Sequence, residues 1–155
     1  MPRLQSRPFA TPDELRTFPH GHAGVVNVGE SAVGRAVYEP GWRWTTAMPP
    51  IAGTPTCELH HLGYSISGLM HVVTDDGQEL DILPDSIYEI PSGHDAWVVG
   101  NEPWVTLEWT SARAFGVPPE GPWRADPRHR PVHRHRRLDG HPAAGGRRRM
   151  ARHAR

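Results

Sequence analysis

Lysine is absent from all 155 residues, and there is one cysteine, Cys57. A single cysteine excludes an intramolecular disulfide. The missing lysine, beside abundant arginine, alanine, glycine and proline, is the bias of a GC-rich gene. No apolar run approaches the ~20 residues that span a bilayer, which excludes a membrane helix. The opening stretch from Met1 to Leu15 has no apolar core of the kind a secretory leader carries, so a cytoplasmic location is expected. Hydrophobic residues make up 37%, a low share for a chain folded along its whole length. The 16 glycines and 17 prolines favour many turns and short strands. The length suits one domain with a proper core.

A formal net charge of zero hides an asymmetry. Residues 1–120 hold six arginines against fifteen acidic residues, and residues 121–155 hold eleven arginines against two aspartates. The two parts therefore need separate readings. Residues 1–19 read as an irregular lead-in with at most one helical turn, marked by the cap-and-proline pattern Thr11-Pro12-Asp13-Glu14. From about residue 20 the pattern has a period of two. Strands are expected at Val25–Val28, Ala32–Val37, Trp42–Thr46, Thr56–Leu62, Leu69–Val73, Glu79–Leu83, Ile87–Ile90, Asp95–Val99 and Val105–Trp109. Asp76-Gly77 is a hairpin turn, and Pro84-Asp85-Ser86 and Pro91-Ser92-Gly93 are further turns. Many short strands at this spacing predict an all-β antiparallel sandwich or barrel over residues 20–115. Residues 116–155 have almost no branched aliphatic side chains. They cannot bury enough apolar surface to offset chain entropy, so a disordered tail is expected.

At Cys57 to Gly68 and at Asp85 to Gly93 the sequence resembles the cupin superfamily, over roughly residues 25–110. The resemblance implies an antiparallel double-stranded β-helix, or jelly roll, with metal ligands on the inside of the barrel. Counted back from Gly68, His61 stands where the family places a glutamate, Cys57 at a histidine position, and Pro55 at a further histidine position. In the second motif Ala96 takes the usual histidine position and Asp85 that of the leading glycine, where a positive φ would be held by an aspartate. His94, directly after the Pro91-Ser92-Gly93 turn, matches one subgroup in particular.

Strand alternation puts Cys57, Leu59 and His61 on one face and Glu58, His60 and Leu62 on the other. His94 shares the inward parity of Ala96. Cys57, His61 and His94 are thus the expected ligands of a divalent metal of the Zn, Fe or Mn class, with His60 and His71 as weaker candidates. Each has a plainer reading. Cys57 serves equally as a small buried hydrophobe, His61 as a hydrogen-bonded core residue and His94 as a turn holder. Tyr64, Asp95 and Trp97 are the expected pocket residues. Asp95 either orients an imidazole or caps a turn, and Trp97 and Tyr64 suit packing roles. Glu58, the nearest carboxylate, points away from the ligand face, which weakens a catalytic reading.

The arginine-rich tail invites a nucleic-acid partner, but a second reading explains it better. Residues 132–141 can be encoded by DNA whose one-base-shifted frame reads Phe-Thr-Asp-Ile-Val-Asp-Ser-Thr-Ala. That string is similar to the opening strand of class III adenylate/guanylate cyclases, which points to a frameshifted cupin–cyclase fusion. The expected function is a cupin domain that binds a divalent metal or small ligand, as a sensory or regulatory module. The alternatives are a small metal-dependent dioxygenase or isomerase and a metal-free structural barrel. A small-molecule ligand and a homodimer are the expected partners, with no membrane and no nucleic acid.

Overall fold

Alternation along the chain becomes two facing sheets in the computed structural model, which describes residues 3–118. The strand β3 (Ser31–Tyr38) shows why. Ala32, Ala36 and Tyr38 are buried, while Val33, Arg35 and Val37 point to the other, half-covered face. The same period of two recurs in β7 (Ser86–Ile90), β8 (His94–Val98) and β9 (Trp104–Glu108). With β1 (Glu14–Phe18), β2 (Gly21–Val28) and β4 (His61–Ser67), six strands form one sheet in the order β1-β2-β3-β9-β4-β7. The second sheet has the order β6-β5-β8, from β5 (Met70–Thr74), β6 (Glu79–Ile82) and β8. All pairings are antiparallel. From β3 onward the chain passes back and forth between the sheets, the winding of a double-stranded β-helix. The core between them is built from Tyr38, Trp42, Trp44, Met70, Tyr88 and Trp104 among others.

Three expectations are corrected. The lead-in is not irregular throughout and forms no helical turn: residues 14–18 are the strand β1 along the edge of β2. Asp13, read as a first-turn acid, instead accepts the backbone N–H of Asn27 at 2.7 Å and the Arg7 guanidinium at 2.8 Å. Edge pairing gives β1 a partner for its backbone, and Phe18 ends it in the core. A single helical turn would have buried no comparable face.

Trp42 to Thr46 is not a strand either. After one isolated bridge, Arg43 to Trp97, the chain turns into two short helices, α1 (Trp44–Ala47) and α2 (Pro49–Ala52). Pro49 starts α2, where its missing N–H costs nothing. Gly53 ends it at φ 75°, a conformation glycine adopts without strain.

The strand expected from Thr56 to Leu62 begins only at His61. Cys57 makes an isolated bridge to His94, on the small sheet, whereas His61 pairs with Ile90 in the large one. Residues 58–60 therefore carry the chain from one sheet to the other. At the Pro84 turn, Asp85 holds the positive φ anticipated for it, at 57°, and its carboxylate accepts the Tyr64 hydroxyl. Of the disordered tail expected over residues 116–155, residues 119–155, which include the shifted-frame string at 132–141, lie outside the described residues.

Among the described residues no helix is long and apolar enough to cross a membrane.

Candidate metal centre

The switch between sheets brings Cys57 and His61 face to face. Four residues along one strand span about 13 Å, too far to share an ion. Here Cys57 Sγ lies 3.3 Å from His61 Nε2. His94 opens β8 opposite, held by the Cys57 bridge, with its ring 5.2 Å from that of His61. One ligand atom from each of Cys57, His61 and His94 lies within 4.8 Å of the other two, and all three residues are buried.

Both imidazoles are oriented by their second nitrogen. His94 Nδ1 lies 2.7 Å from the Pro91 carbonyl oxygen and donates to it, which leaves Nε2 free. His61 Nδ1 donates to Glu108 Oε2 at 2.9 Å. Ser111 Oγ lies 2.9 Å from the same nitrogen and itself donates to Glu108. The Tyr88 hydroxyl donates to the other carboxylate oxygen at 2.9 Å. Tyr88 reaches this point because residue 63 is glycine: a Cβ there would collide with the Tyr88 hydroxyl and the Leu107 carbonyl.

The charges are coupled. Burial alone would strip His61 of its proton, but the Glu108 carboxylate and the Cys57 sulfur hold it up to about 10. Burial works against the Cys57 thiolate too, and the two imidazoles outweigh it and bring the thiol down to about 7. Burial would also raise Glu108; His61, Ser111 and Tyr88 keep it below the usual carboxylate range. The Glu108 carboxylate thus favours the protonated His61 ring, and that ring in turn eases ionisation of the Cys57 thiol beside it.

These residues fit a divalent cation. Zinc bound at ordinary S and N distances with tetrahedral angles would set sulfur and nitrogen about 3.6 Å apart, close to the separation found between Cys57 and His61. Thiolate and imidazole are donors for zinc or iron, and less so for manganese. A carboxylate that fixes the ring of a ligating histidine is the usual support of such a ligand. Beside the donors, His61, His94, Trp42 and Glu108 line a void of about 20 Å³, room for about one water. On that wall the buried Trp42 indole N–H has no hydrogen-bond partner among the described residues.

The other expected site residues lie elsewhere. His60 faces outward, as its parity indicated, and pairs with Glu89 at 2.8 Å. His71 stands on the outer side of β5 against Trp97, 2.6 Å from Asp81, so neither weaker candidate reaches the centre. Tyr64, Asp95 and Trp97 are not pocket residues. Tyr64 bonds Asp85 on the outside of the large sheet. Asp95 neither orients an imidazole nor caps the turn before it: it accepts the backbone N–H of Thr45 at the start of α1 at 3.1 Å and pairs with Arg43. The Arg43 guanidinium lies 4.5 Å from the centre of the Trp97 ring, which is thus turned outward by strand parity. Glu108, Ser111 and Tyr88 were missed. Glu108 had a legible signal: it shares parity with Trp104 and Thr106 on an apolar strand, and an inward acid needs a partner.

No protein-family model matches this chain, and no curated protein matches it in sequence. Among solved structures it is similar to a protein from Rhizobium leguminosarum bv. viciae (19% identity, TM-score 0.48, 70% of this chain and 96% of that one). It is also similar to KdgF from a Halomonas species (16% identity, TM-score 0.42, 59% of this chain and 82% of that one). A third is the oxalate decarboxylase of Lactobacillus farciminis (14% identity, TM-score 0.47), where 67% of this chain covers 32% of that protein. At these identities and scores the likeness is confined to the backbone. By its own strand order the fold is an antiparallel double-stranded β-helix. In this barrel the groups that could hold a metal ion are Cys57, His61 and His94, with Glu108 behind His61.

Proposed function

We propose that the cupin-type barrel binds one divalent metal ion through Cys57 Sγ and the Nε2 atoms of His61 and His94, as a binding or sensory domain. The observation that carries this is the orientation of the donors. Three soft-to-borderline ligand atoms from two sheets converge within 4.8 Å, and each imidazole has its Nδ1 tied back. Zinc and iron are favoured over manganese by the sulfur. A bound ion would supply Lewis acidity and, with three protein ligands, an open position.

That open position, with the one-water void beside it, supports a second reading as a small metal-dependent dioxygenase or isomerase. An enzyme also needs a positioned acid or base. Glu108, the carboxylate at the centre, is engaged by His61, Ser111 and Tyr88, so binding is the better-supported role. The sensory reading gains support from the shifted-frame string in residues 132–141. Sequencing the gene tests it, and the absence of cyclase sequence in another frame would remove that support.

The test of the metal centre is metal analysis of the purified protein after reconstitution with Zn(II) or Fe(II). One equivalent is expected in wild type and none in His61→Ala or His94→Ala. Absence of bound metal in reconstituted wild type overturns the reading.

A further inference from the structure

A second cavity, of about 220 Å³, lies on the other side of Trp44 and Phe115, two rings that line both it and the small void at the metal centre. Its walls come from α1 and α2, from the crossing segment at 54–59 and from residues 114–117. Met48, Ile51, Leu59 and Val117 make it largely hydrocarbon. Cys57 also lines it, so an occupant would touch the residue whose sulfur belongs to the metal centre.

We propose that this cavity binds a small uncharged apolar molecule, of the size of one fused aromatic ring pair. Size and charge both point there. A cavity of about 150 Å³ lined by apolar side chains takes benzene, so by proportion this one takes about nine heavy atoms. Among the described residues its lining holds one charged side chain, Glu58, and no cation. An anion would have to leave water for a hydrocarbon wall with a carboxylate beside it and nothing to pair with. The polar alternatives are already engaged: the Thr54 hydroxyl donates to the Thr56 carbonyl at 2.7 Å. Small carboxylates are therefore excluded from this chamber, and neutral aromatic or alicyclic compounds fit it. The inference does not depend on whether the neighbouring centre holds a metal.

Two probes of equal heavy-atom count, neutral indole and anionic benzoate, separate these terms. They are titrated calorimetrically, and by saturation-transfer NMR, into the full-length, metal-free protein. Indole binds saturably and benzoate at least about tenfold more weakly, because its charge must be desolvated without a partner. Ala52→Phe and Ala114→Phe fill the cavity from two of its lining segments, and each weakens indole by at least about tenfold while the protein still melts cooperatively. Metal uptake by both variants is measured alongside, so failure of this inference is distinguishable from failure of the metal reading. The inference is overturned if wild type shows no saturable indole binding, if benzoate binds as well as indole, or if folded filling variants bind indole like wild type. If a filling variant fails to fold, the probe pair still decides the matter on unmodified protein.

Discussion

Glu108 is the residue on which the centre rests. It is 6% exposed, and a carboxylate so placed costs several kcal/mol unless paired. Its partners are His61 Nδ1, the Ser111 hydroxyl and the Tyr88 hydroxyl. Hydrogen bonds to a charged group contribute about 1.5–3 kcal/mol each, enough together to offset that cost. In return Glu108 fixes which nitrogen of His61 faces Cys57. Glu108→Gln keeps the size and one acceptor but removes the charge. Metal affinity, read by competition with a chromophoric chelator, is expected to fall about 10- to 100-fold, the usual loss for such a supporting group. Unchanged affinity would mean that the carboxylate serves the fold alone.

At the scale of elements, two joins matter. The crossing between Cys57 and His61 makes the site, and β1 closes the edge of the large sheet. The second is pinned through Asp13, which accepts the Asn27 amide and the Arg7 guanidinium, and its acidity is raised in that order of importance. A carboxyl depressed below its unfolded value of 3.8 contributes while the pH is above that value. The contribution is lost as pH falls through the lower, folded value. The Asn27 amide proton is therefore expected to titrate in NMR spectra with a midpoint below 3.8, and in Asp13→Asn that titration disappears. A midpoint at or above 3.8 would show that the pin does not form.

The elements also differ in how plainly the sequence announced them. Strands β3, β7, β8 and β9 alternate strictly, because each is covered on its inner face by the opposite sheet. Their positions were legible from strand-forming residues between turns, but side-chain type misleads about the faces: in β9 Thr106 and Glu108 point inward, Val105 and Leu107 outward. β1 has an exposed, mixed composition, since an edge strand buries little beyond Phe18, so alternation was faint. Trp42–Thr46 carried strand-like residues, but Pro49, Pro50 and the anchoring of Thr45 to Asp95 favoured helical turns. Cys57 and His61 were assigned to one face by parity along a continuous strand. They do meet, yet from opposite sheets.

For the molecule as a whole, binding a ligand to the native state alone raises stability by mass action. At Zn(II) about 100-fold above its Kd the gain is about 2.7 kcal/mol. In a domain of this size that raises Tm by roughly 10 °C. Thermal melts with and without Zn(II) should show this rise in wild type and none in His94→Ala, which keeps the barrel but lacks one ligand. Equal rises in both proteins would place the zinc elsewhere.

From sequence patterning alone, residues 20–115 read as an antiparallel all-β barrel with its hairpin turns in place, and Cys57, His61 and His94 read as inward-facing. Those properties are local: a period of two, a glycine or aspartate at a positive φ, a proline before a turn. It took the tertiary structure to bring Glu108, forty-seven residues beyond His61, behind its ring, and to set His71, Tyr64, Asp95 and Trp97 outside the site. Sequence patterns say which face a side chain takes, but distance across a barrel depends on which strands pair and where the chain changes sheet. That change, within the three residues between Cys57 and His61, is what turns a strand's worth of separation into a contact of 3.3 Å.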